Sequence, residues 1–478
     1  MKRKKYVIIS VLVAAVVVYS SSLHAQWSAD TKISVQDSAA SLNENMGQCL
    51  AVSGDSVHAL WWDKNADSTS VFYRHSFDGG VTWSVTAHLG GIVNSIVDFP
   101  CIAVSGATVH IAWRNMINGT STTYYKRSLD GGNTWGANIS LGTWYWWPSL
   151  TCDGQKVFIA LNDSHPNNTE VYCRRSTDNG TTWDTVVHQI SNATGRSEDP
   201  SIAASSGCVH LVWNDNRTGI MQTWYRHSFD NGVTWGAETQ LTNAPLFSYC
   251  PMIIATIGYV DVVRADRDAS NNFHIMYKRS LDSGMTWSSE QELSNNGTSS
   301  GYPVIKRDGE NVHVVWWDFS GDLKYCHSSD GGVTWGSAQS LVTYAANKPT
   351  EPFIALSATM LHVIWLDSRE GHPEVYYKNT KTQASVRMVN SLLNLIEISP
   401  NPASQNATLK IGVAQHLEDV KINFYDAAGR LLSMQNIGAL NEGILSIPLL
   451  LPQISGIAFL RITSGSDVIG TGKILLTR

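Results

Sequence analysis

The chain has 478 residues, of which 43% are hydrophobic and 15% charged, and its formal net charge is −6 with a sequence pI near 6.2. This length and apolar fraction allow one large domain and a smaller one. The acidic balance offers no electrostatic footprint for nucleic acid, which is therefore excluded as an expected partner.

The first 25 residues have the pattern of an export signal. Met1–Lys5 is positively charged, Tyr6–Tyr19 is apolar but too short for an ordinary membrane span, and a small, polar stretch ends at Ala25. We expect residues 1–25 to be a signal peptide that is removed, leaving no transmembrane span in the mature chain. A retained membrane anchor is the alternative.

The octet Ser-x-Asp-x-Gly-x-Thr-Trp occurs six times, at intervals of 48 or 52 residues. Its Ser and Asp side chains can accept hydrogen bonds from turn amides, and its Gly tolerates a positive φ. Its Trp can start the next strand and bury apolar surface between neighbouring sheets. A set that recurs in every unit predicts a structural role for the central aspartates, which are Asp78, Asp130, Asp178, Asp230, Asp282 and Asp330.

Three strand-like segments precede each octet. A Pro opens a short apolar strand, as in Pro100–Val104, and a Val-His-x-x-Trp strand follows, as in Val109–Trp113. A Tyr-rich strand such as Tyr124–Arg127 comes next. Alternating apolar and polar residues between Gly, Asn and Asp indicate antiparallel, half-buried strands. A period of this size predicts an all-β fold, namely a β-propeller of four-stranded repeats.

Seven such units can be counted, although the seventh has no octet and ends near Thr382. Its missing fourth strand is predicted at the other end of the chain, because Trp27–Ser34 closely matches Trp235–Thr242 after the fourth octet. Such pairing would close the ring and cover the sheet edges. We predict a seven-bladed propeller over residues 27–385, with six blades as the alternative.

The cysteines give no disulfide framework. Their number, seven, is odd and their spacing is not paired, so we expect small buried apolar residues. No Cys/His set has the spacing of a zinc site. We therefore expect neither a metal nor a cofactor.

The octets disappear near residue 390, where we place a linker (386–396) and then a small C-terminal β-sandwich (397–478). This last segment resembles the type A C-terminal sorting domain of the type IX secretion system of Bacteroidetes. The resemblance is carried by Pro400-Asn401-Pro402, by Tyr425-Asp426 with Gly429-Arg430, and by Gly472-Lys473-Ile474. It implies export by the type IX machinery and a secreted or outer-surface location. A generic accessory β-sandwich is the alternative.

The octets likewise resemble the Asp-box, or bacterial neuraminidase (BNR), repeat. That repeat occurs in sialidases, in other glycoside hydrolases and in non-catalytic propellers, so the resemblance implies the fold more than an activity. Sialidases carry an Arg-Ile-Pro motif and six blades, whereas this chain has no Arg-Ile-Pro.

Candidate ligand-binding residues are those that break the repeat at the rim opposite the octets. Arg264 stands where five units have Trp, and Arg114 follows a repeat Trp. The planar guanidinium fork suits carboxylates, so both arginines are predicted to bind an acidic sugar.

Carboxylates and aromatic residues are predicted to meet at the same rim. Trp147, Asp199, Tyr302 and Glu351 precede the first strands of successive units, with Trp146 and Tyr249 beside them. Glycoside chemistry uses paired carboxyl groups, so the candidate catalytic residues are Asp199, Glu351 and Tyr302. The aromatic run that begins at Trp144 and includes Trp146 and Trp147 could be a sugar platform or inter-blade packing.

Two hypotheses remain open from the sequence. The chain is either a secreted sialidase-like glycoside hydrolase or a non-catalytic surface propeller that binds a glycan or a glycoprotein. In both cases we expect a monomer.

Overall fold

The computed structural model describes residues 27–34, 39–42, 47–65, 68–91, 95–163, 168–294, 297–343, 349–357, 360–381, 393–399, 403, 407–413, 416–425, 431–441, 443–452, 454, 456–464 and 467–476. The expected signal peptide, Pro400-Asn401-Pro402 and Asp426–Arg430 lie outside these ranges, as do residues 386–392 of the expected linker. The regular structure in the described ranges is β-strand, and none of it is a helix able to cross a membrane. The chain divides into two compact units, Met1–Gln383 and Ala384–Arg478.

Seven antiparallel sheets form the first unit. The first sheet contains β2 (Ala40–Ser41), β3 (Leu50–Ser53), β4 (Ser56–Asn65), β5 (Ser68–Ser76) and β6 (Ala87–Gly90). The second contains β7 (Ile96–Ser105), β8 (Thr108–Ile117), β9 (Thr120–Ser128) and β10 (Ile139–Thr143). The third contains β11 (Tyr145–Asp153), β12 (Lys156–Asp163), β13 (Val171–Ser176) and β14 (His188–Gln189).

The remaining four sheets repeat the same order. The fourth contains β15 (Ser197–Ser205), β16 (Cys208–Asp215), β17 (Gln222–Ser228) and β18 (Thr239–Gln240). The fifth contains β19 (Phe247–Thr256), β20 (Tyr259–Arg267), β21 (Phe273–Ser280) and β22 (Gln291–Glu292). The sixth contains β23 (Ser300–Asp308), β24 (Asn311–Asp318), β25 (Asp322–Ser328) and β26 (Gln339–Thr343). The seventh contains β27 (Thr350–Leu356), β28 (Met360–Asp367), β29 (Glu374–Lys381) and, at its edge, β1 (Thr31–Lys32). The all-β, four-stranded repeat is therefore confirmed.

Each second strand carries buried residues at fixed positions. Five of these strands contain the Val-His-x-x-Trp pattern or its Leu variant, and their Trp side chains are at most 1% exposed. The His of the pattern shares a hydrogen bond with a Tyr of the third strand, as between His58 Nδ1 and the Tyr73 hydroxyl at 2.6 Å. These histidines therefore belong to the cores of their five sheets.

The octets join one sheet to the next. Tyr73 of the first sheet packs edge-on against the octet residue Trp135 of the second, with ring centroids 5.0 Å apart. Gly132 of that octet has a φ of 91°, and a Cβ there would lie 1.9 Å from the Tyr73 hydroxyl. Only glycine fits both the turn and this close approach. The octet Trp itself lies in the turn before the fourth strand and does not begin that strand, contrary to expectation.

The N-terminal strand completes the seventh sheet, as the sequence predicted. Thr31 and Lys32 pair with Tyr377 and Tyr376, and the Ser28 amide donates to the Asn379 carbonyl at 2.8 Å. Trp27 packs edge-on against Tyr325 of the sixth sheet at 5.6 Å. It thus takes the place that the octet Trp has in the other sheets.

The first strands lie innermost. Each of β3, β7, β11, β15, β19, β23 and β27 contacts the first strand of the next sheet, and β27 contacts β3. Together they line a cavity of about 300 Å³. The first sheet differs in one respect, because β2 and β3 both pair with β4 and form one interrupted first strand.

The second unit contains two further sheets. One contains β30 (Leu393–Ser399), β31 (Ala407–Val413) and β34 (Gly443–Leu449); the other contains β32 (Leu417–Tyr425), β33 (Leu431–Leu440), β35 (Gly456–Ser464) and β36 (Asp467–Leu476). Side chains of both sheets, including Leu409 and Phe424, share one buried cluster. Two strands were not predicted: β33, and β30, which begins inside the expected linker.

Candidate functional site

One backbone feature recurs at the start of the first strand in six sheets. The residue that precedes the strand's proline has a φ between 48° and 56° although it is not glycine. These positions, called the rim positions below, are Phe99, Trp147, Asp199, Cys250, Tyr302 and Glu351. Such a conformation costs about 1–3 kcal/mol per residue, and residues held in it cluster at functional sites.

The rim positions lie in β-bulges. The pairing of the first strand with the second skips two residues there, as between Glu198 and Ser201 in β15. The same skip occurs in β7, β11, β19, β23 and β27. A bulge bends its strand and re-aims a side chain. The register also places the bulges at the end of each sheet opposite the octet, since Val209 pairs with Ser228 at the octet end.

The rim positions share one backbone conformation, but their side chains differ in chemistry. Three are aromatic, two are carboxylic acids and one is a thiol. Phe99 and Trp147 make an edge contact at 6.3 Å. Tyr302 contacts the neighbouring Tyr249 through both rings at 5.7 Å and through the two hydroxyls at 3.1 Å. Side chains of adjacent sheets therefore meet at this rim.

Asp199 is the most perturbed carboxyl group of the rim. It is 6% exposed and accepts a hydrogen bond from Asn214 Nδ2 at 3.0 Å. Burial, with a smaller contribution from the charge of Glu198, raises the pKa of Asp199 to about 7. A carboxyl group that holds its proton near neutral pH can act as a general acid.

Glu351 has a different environment. Its Oε2 accepts a hydrogen bond from the Leu42 amide at 3.1 Å, which links the seventh sheet to the first. Glu351 and Tyr302 line one small pocket, whereas Asp199 belongs to the fourth sheet. The structure therefore brings two of the three predicted catalytic residues together and leaves Asp199 apart from them.

Arg114 is engaged by the protein itself. It is 6% exposed, its Nε donates to Asp98 Oδ1 at 2.7 Å, and its Nη2 binds the other oxygen of Asp98. Trp146 covers the guanidinium, with the ring centroid 4.3 Å from Cζ. Arg114 thus supports the rim through Trp146, and its expected role as a free carboxylate clamp does not agree with this geometry.

Arg264 is likewise unsuited to the predicted role. Its side chain is fully buried and binds Asp266 through Nε and Nη2 at 2.9 and 2.8 Å. Its Nη2 also donates to Glu290 Oε1 at 2.7 Å. Two carboxylates of the protein therefore compensate this cation inside the fifth sheet, at the position that five other sheets fill with Trp.

The aromatic run does not form one flat platform. Trp146 and Trp147 meet at 83° with centroids 6.2 Å apart. Trp144 is 54% exposed with a φ of 70°, and its amide donates to the Ser121 carbonyl at 2.7 Å. Trp147 belongs to the rim positions, Trp146 packs on Arg114, and Trp144 stands in the preceding loop.

The octet aspartates have the structural role that was predicted. In the first octet Asp78 accepts from the Thr82 amide at 2.8 Å and from the Thr82 hydroxyl at 2.6 Å, while Ser76 donates to it at 2.7 Å. The Thr82 bonds are the main reason that the pKa of Asp78 is lowered to about 2. Equivalent bonds hold the other five octets, at Asp130, Asp178, Asp230, Asp282 and Asp330.

Sequence reasoning missed Phe99 and Cys250 among the rim positions. The signal was the X-Pro pair that opens six first strands, which identifies both residues once the strands are aligned. The seven cysteines are free, and no group of three or more potential ligands in the described residues could hold a metal ion.

Similar proteins are known from sequence and from structure. Over 166 residues the chain is 27% identical to a sialidase of Clostridium perfringens. The aligned region covers 29% of this chain and 43% of that sialidase. The match thus spans less than half of the curated relative. The BP39L lectin of Burkholderia pseudomallei is similar in structure at a TM-score of 0.50 and 11% identity, over 69% of this chain and 96% of the lectin. A PL25 ulvan lyase gives a TM-score of 0.50 at 9% identity, over 71% and 93% of the two chains.

These structural similarities concern the fold alone, given their low identity. The family assignment rests on sequence, because the profile described as "BNR repeat-like domain" matches residues 13–262, more than half of the chain. This range includes the first four octets and the rim positions Phe99, Trp147, Asp199 and Cys250. The chain therefore belongs to the BNR repeat-like domain family.

Proposed function

We propose that the protein is a glycan-binding BNR propeller and that the rim positions form its ligand face. The observation that carries this proposal is one strained backbone conformation, repeated in six sheets, that presents six different side chains. A purely structural position would tolerate the same residue in every repeat, as the octet does. Strain kept in six of the seven repeats with varied side chains is typical of a binding surface.

The chemistry of the rim suits sugars. Phe99, Trp147 and Tyr302 offer aromatic faces, while Glu351 offers an acceptor for sugar hydroxyls. All four are partly exposed, whereas Asp199 is buried. The similar proteins include a lectin, an ulvan lyase and a sialidase, which supports a carbohydrate ligand.

Hydrolysis is the second candidate, and Asp199 favours it. A pKa raised to about 7 suits a general acid at neutral pH. Against sialidase chemistry stand the missing Arg-Ile-Pro motif and the self-compensated Arg114 and Arg264. If the protein hydrolyses sialosides, a fluorogenic sialoside is cleaved by the wild type and not by Asp199→Asn. No cleavage by the wild type rejects this candidate.

The larger assembly is also a proposal. We take the seven sheets as seven blades of a closed propeller, supported by the contact of β27 with β3 and by the pairing of β1 with β29. The signal peptide and the type IX sorting domain remain predictions from the sequence, and with them a secreted or outer-surface location. A monomer is expected because the outer edge strands of several sheets are only two residues long, as in β14 and β18.

A glycan array probed with the full-length protein tests the binding proposal. We expect binding to a defined set of glycans that Trp147→Ala weakens at least tenfold, because the rim loses an aromatic face. Glu351→Gln, which keeps the shape but removes the charge, should weaken ligands whose hydroxyl groups donate to this carboxylate and should not weaken acidic ligands.

The matched control is Leu281→Ala, at a 59% exposed octet position on the opposite side. This variant should bind as the wild type does, and all three variants should keep its melting midpoint within a few degrees. Binding that survives Trp147→Ala but is lost in Leu281→Ala would place the ligand on the octet side and refute the proposal.

A further inference from the structure

One residue that lines the cavity between the first strands differs in charge from its equivalents in the other sheets. In each sheet, one residue of the first strand pairs with the second-strand residue that occupies the His position of the Val-His-x-x-Trp pattern, as Ala203 pairs with His210. The seven residues at this register all line the cavity, and six are uncharged: Ala51, Ala103, Thr151, Ala203, Ile254 and Ala355. The seventh is Lys306, which pairs with His313.

Lys306 has no counter-ion among the residues that the structure describes. Among the described residues that line the cavity there is no Asp or Glu, and no hydrogen bond or ion pair of the described residues involves its Nζ. Burial alone lowers the pKa of Lys306 to about 8. The group therefore still carries its charge at pH 7, in a low-dielectric space that strengthens its attraction for an anion.

The other cation of the lining is already compensated. Arg307 binds Asp261 through Nε and Nη2, and both side chains are almost completely buried. Burial lowers the pKa of His313 to about 3, and burial raises that of the Cys152 thiol to about 12, so both are neutral near pH 7. Among the described residues that line this cavity, Lys306 thus supplies the uncompensated charge.

We propose that the cavity binds a small organic carboxylate, of at most monosaccharide size, with Lys306 as its cationic group. A volume of about 300 Å³ is at the lower end for ligand sites. One lysine balances one negative charge, whereas a dianion would leave a buried charge without a partner. Gln48, Thr151 and Thr256 also line the cavity and can donate hydrogen bonds to a carboxylate. This site is independent of the glycan proposed for the rim.

Calorimetric titration of the full-length protein with sodium glucuronate tests the proposal, with glucose as the neutral ligand of similar size. We expect glucuronate to bind and glucose not to. Lys306→Met should weaken glucuronate at least tenfold, and Lys306→Arg should retain part of the affinity. The matched control is Lys324→Met, which removes the same charge from the third strand of the same sheet, where Lys324 pairs with Asp322.

Two further readouts separate a binding site from a merely structural lysine. The affinity for glucuronate should fall as the pH rises through about 8, because the ammonium deprotonates. Without ligand, Lys306→Met should melt no lower than the wild type, since it removes a partly buried charge that has no partner among the described residues.

Glucuronate binding that is equal in the wild type and Lys306→Met overturns the proposal, as does a wild type that binds no glucuronate. Binding lost in Trp147→Ala but kept in Lys306→Met also overturns it and assigns the anion to the rim. The glycan proposal would survive that last result.

Discussion

The N-terminal strand is predicted to hold the first unit closed, and Ile33→Ala and Trp27→Ala test this. Ile33 is fully buried, although it lies more than 340 residues away in sequence from Val375, whose carbonyl accepts its amide at 2.8 Å. Truncating a buried Ile to Ala costs about 3 kcal/mol. Trp27 is only half-buried, against Tyr325, so its truncation should cost about 2 kcal/mol.

These energies convert into a measurable change in melting. An unfolding entropy of about 2.1 cal/mol/K per residue gives roughly 0.7 kcal/mol/K for a unit of about 350 residues. The melting midpoint should therefore fall by about 4 °C for Ile33→Ala and about 3 °C for Trp27→Ala. All 18 tryptophans lie between Trp27 and Trp365, so tryptophan fluorescence of the full-length protein reports on this unit alone.

The control for these variants is Val85→Ala, at a side chain that is 89% exposed. It should leave the midpoint within about half a degree, since surface truncations away from special features are nearly neutral. Midpoints for Ile33→Ala and Trp27→Ala that equal that of the control would show that residues 27–34 do not complete the seventh sheet. The seven-blade proposal would then fail.

Three further predictions follow from single residues or segments. Arg264→Ala should lower the free energy of unfolding by about 3–5 kcal/mol, because Asp266 and Glu290 lose their cation. The glycan affinity of the folded fraction should stay unchanged. A stable variant that does not bind glycan would instead show that Arg264 belongs to the ligand face. Because the pKa of Asp78 is lowered to about 2, the hydrogen bonds of its octet stabilise the fold at any pH above the unfolded pKa. This stabilisation is lost as the pH falls from about 4 to 2. The melting midpoint of Asp78→Asn should therefore be lower than that of Asp55→Asn at pH 7, and it should fall less on acidification. Equal dependence of the two midpoints on pH would contradict this. Removing residues 390–478 should leave a folded protein trapped in the periplasm of a host with type IX secretion, and its appearance in the medium would reject the sorting-domain prediction.

The sequence predicted the elements whose signals are local and repeated. The octets define the third strand and the following turn of six sheets, and the Val-His-x-x-Trp pattern defines the second strand of five. The match of Trp27–Ser34 to Trp235–Thr242 correctly placed the N-terminal strand on the last sheet. Each of these inferences needed only comparison of the chain with itself.

The site was harder to predict because its residues depend on partners distant in sequence. Arg264 looked available, but Glu290, which follows it by 26 residues and lies beyond the octet turn, binds it in the folded sheet. The positive φ of Trp147 and Asp199 runs against the local preference of residues before proline, which favours extended backbone. Lys306 was overlooked because a single lysine in a strand carries no motif. That Lys306 is charged where its six equivalents are uncharged becomes visible only when the seven first strands are aligned by their pairing register.

A crystal structure of the full-length protein with a glycan identified by the array would test the central claim most directly. The account predicts density for the sugar against Trp147, Tyr302 or Glu351, at the ends of the sheets where the first strands bulge. Sugar bound instead to the octets around Asp78 and its equivalents would contradict it, because the strained rim would then have no ligand to explain it.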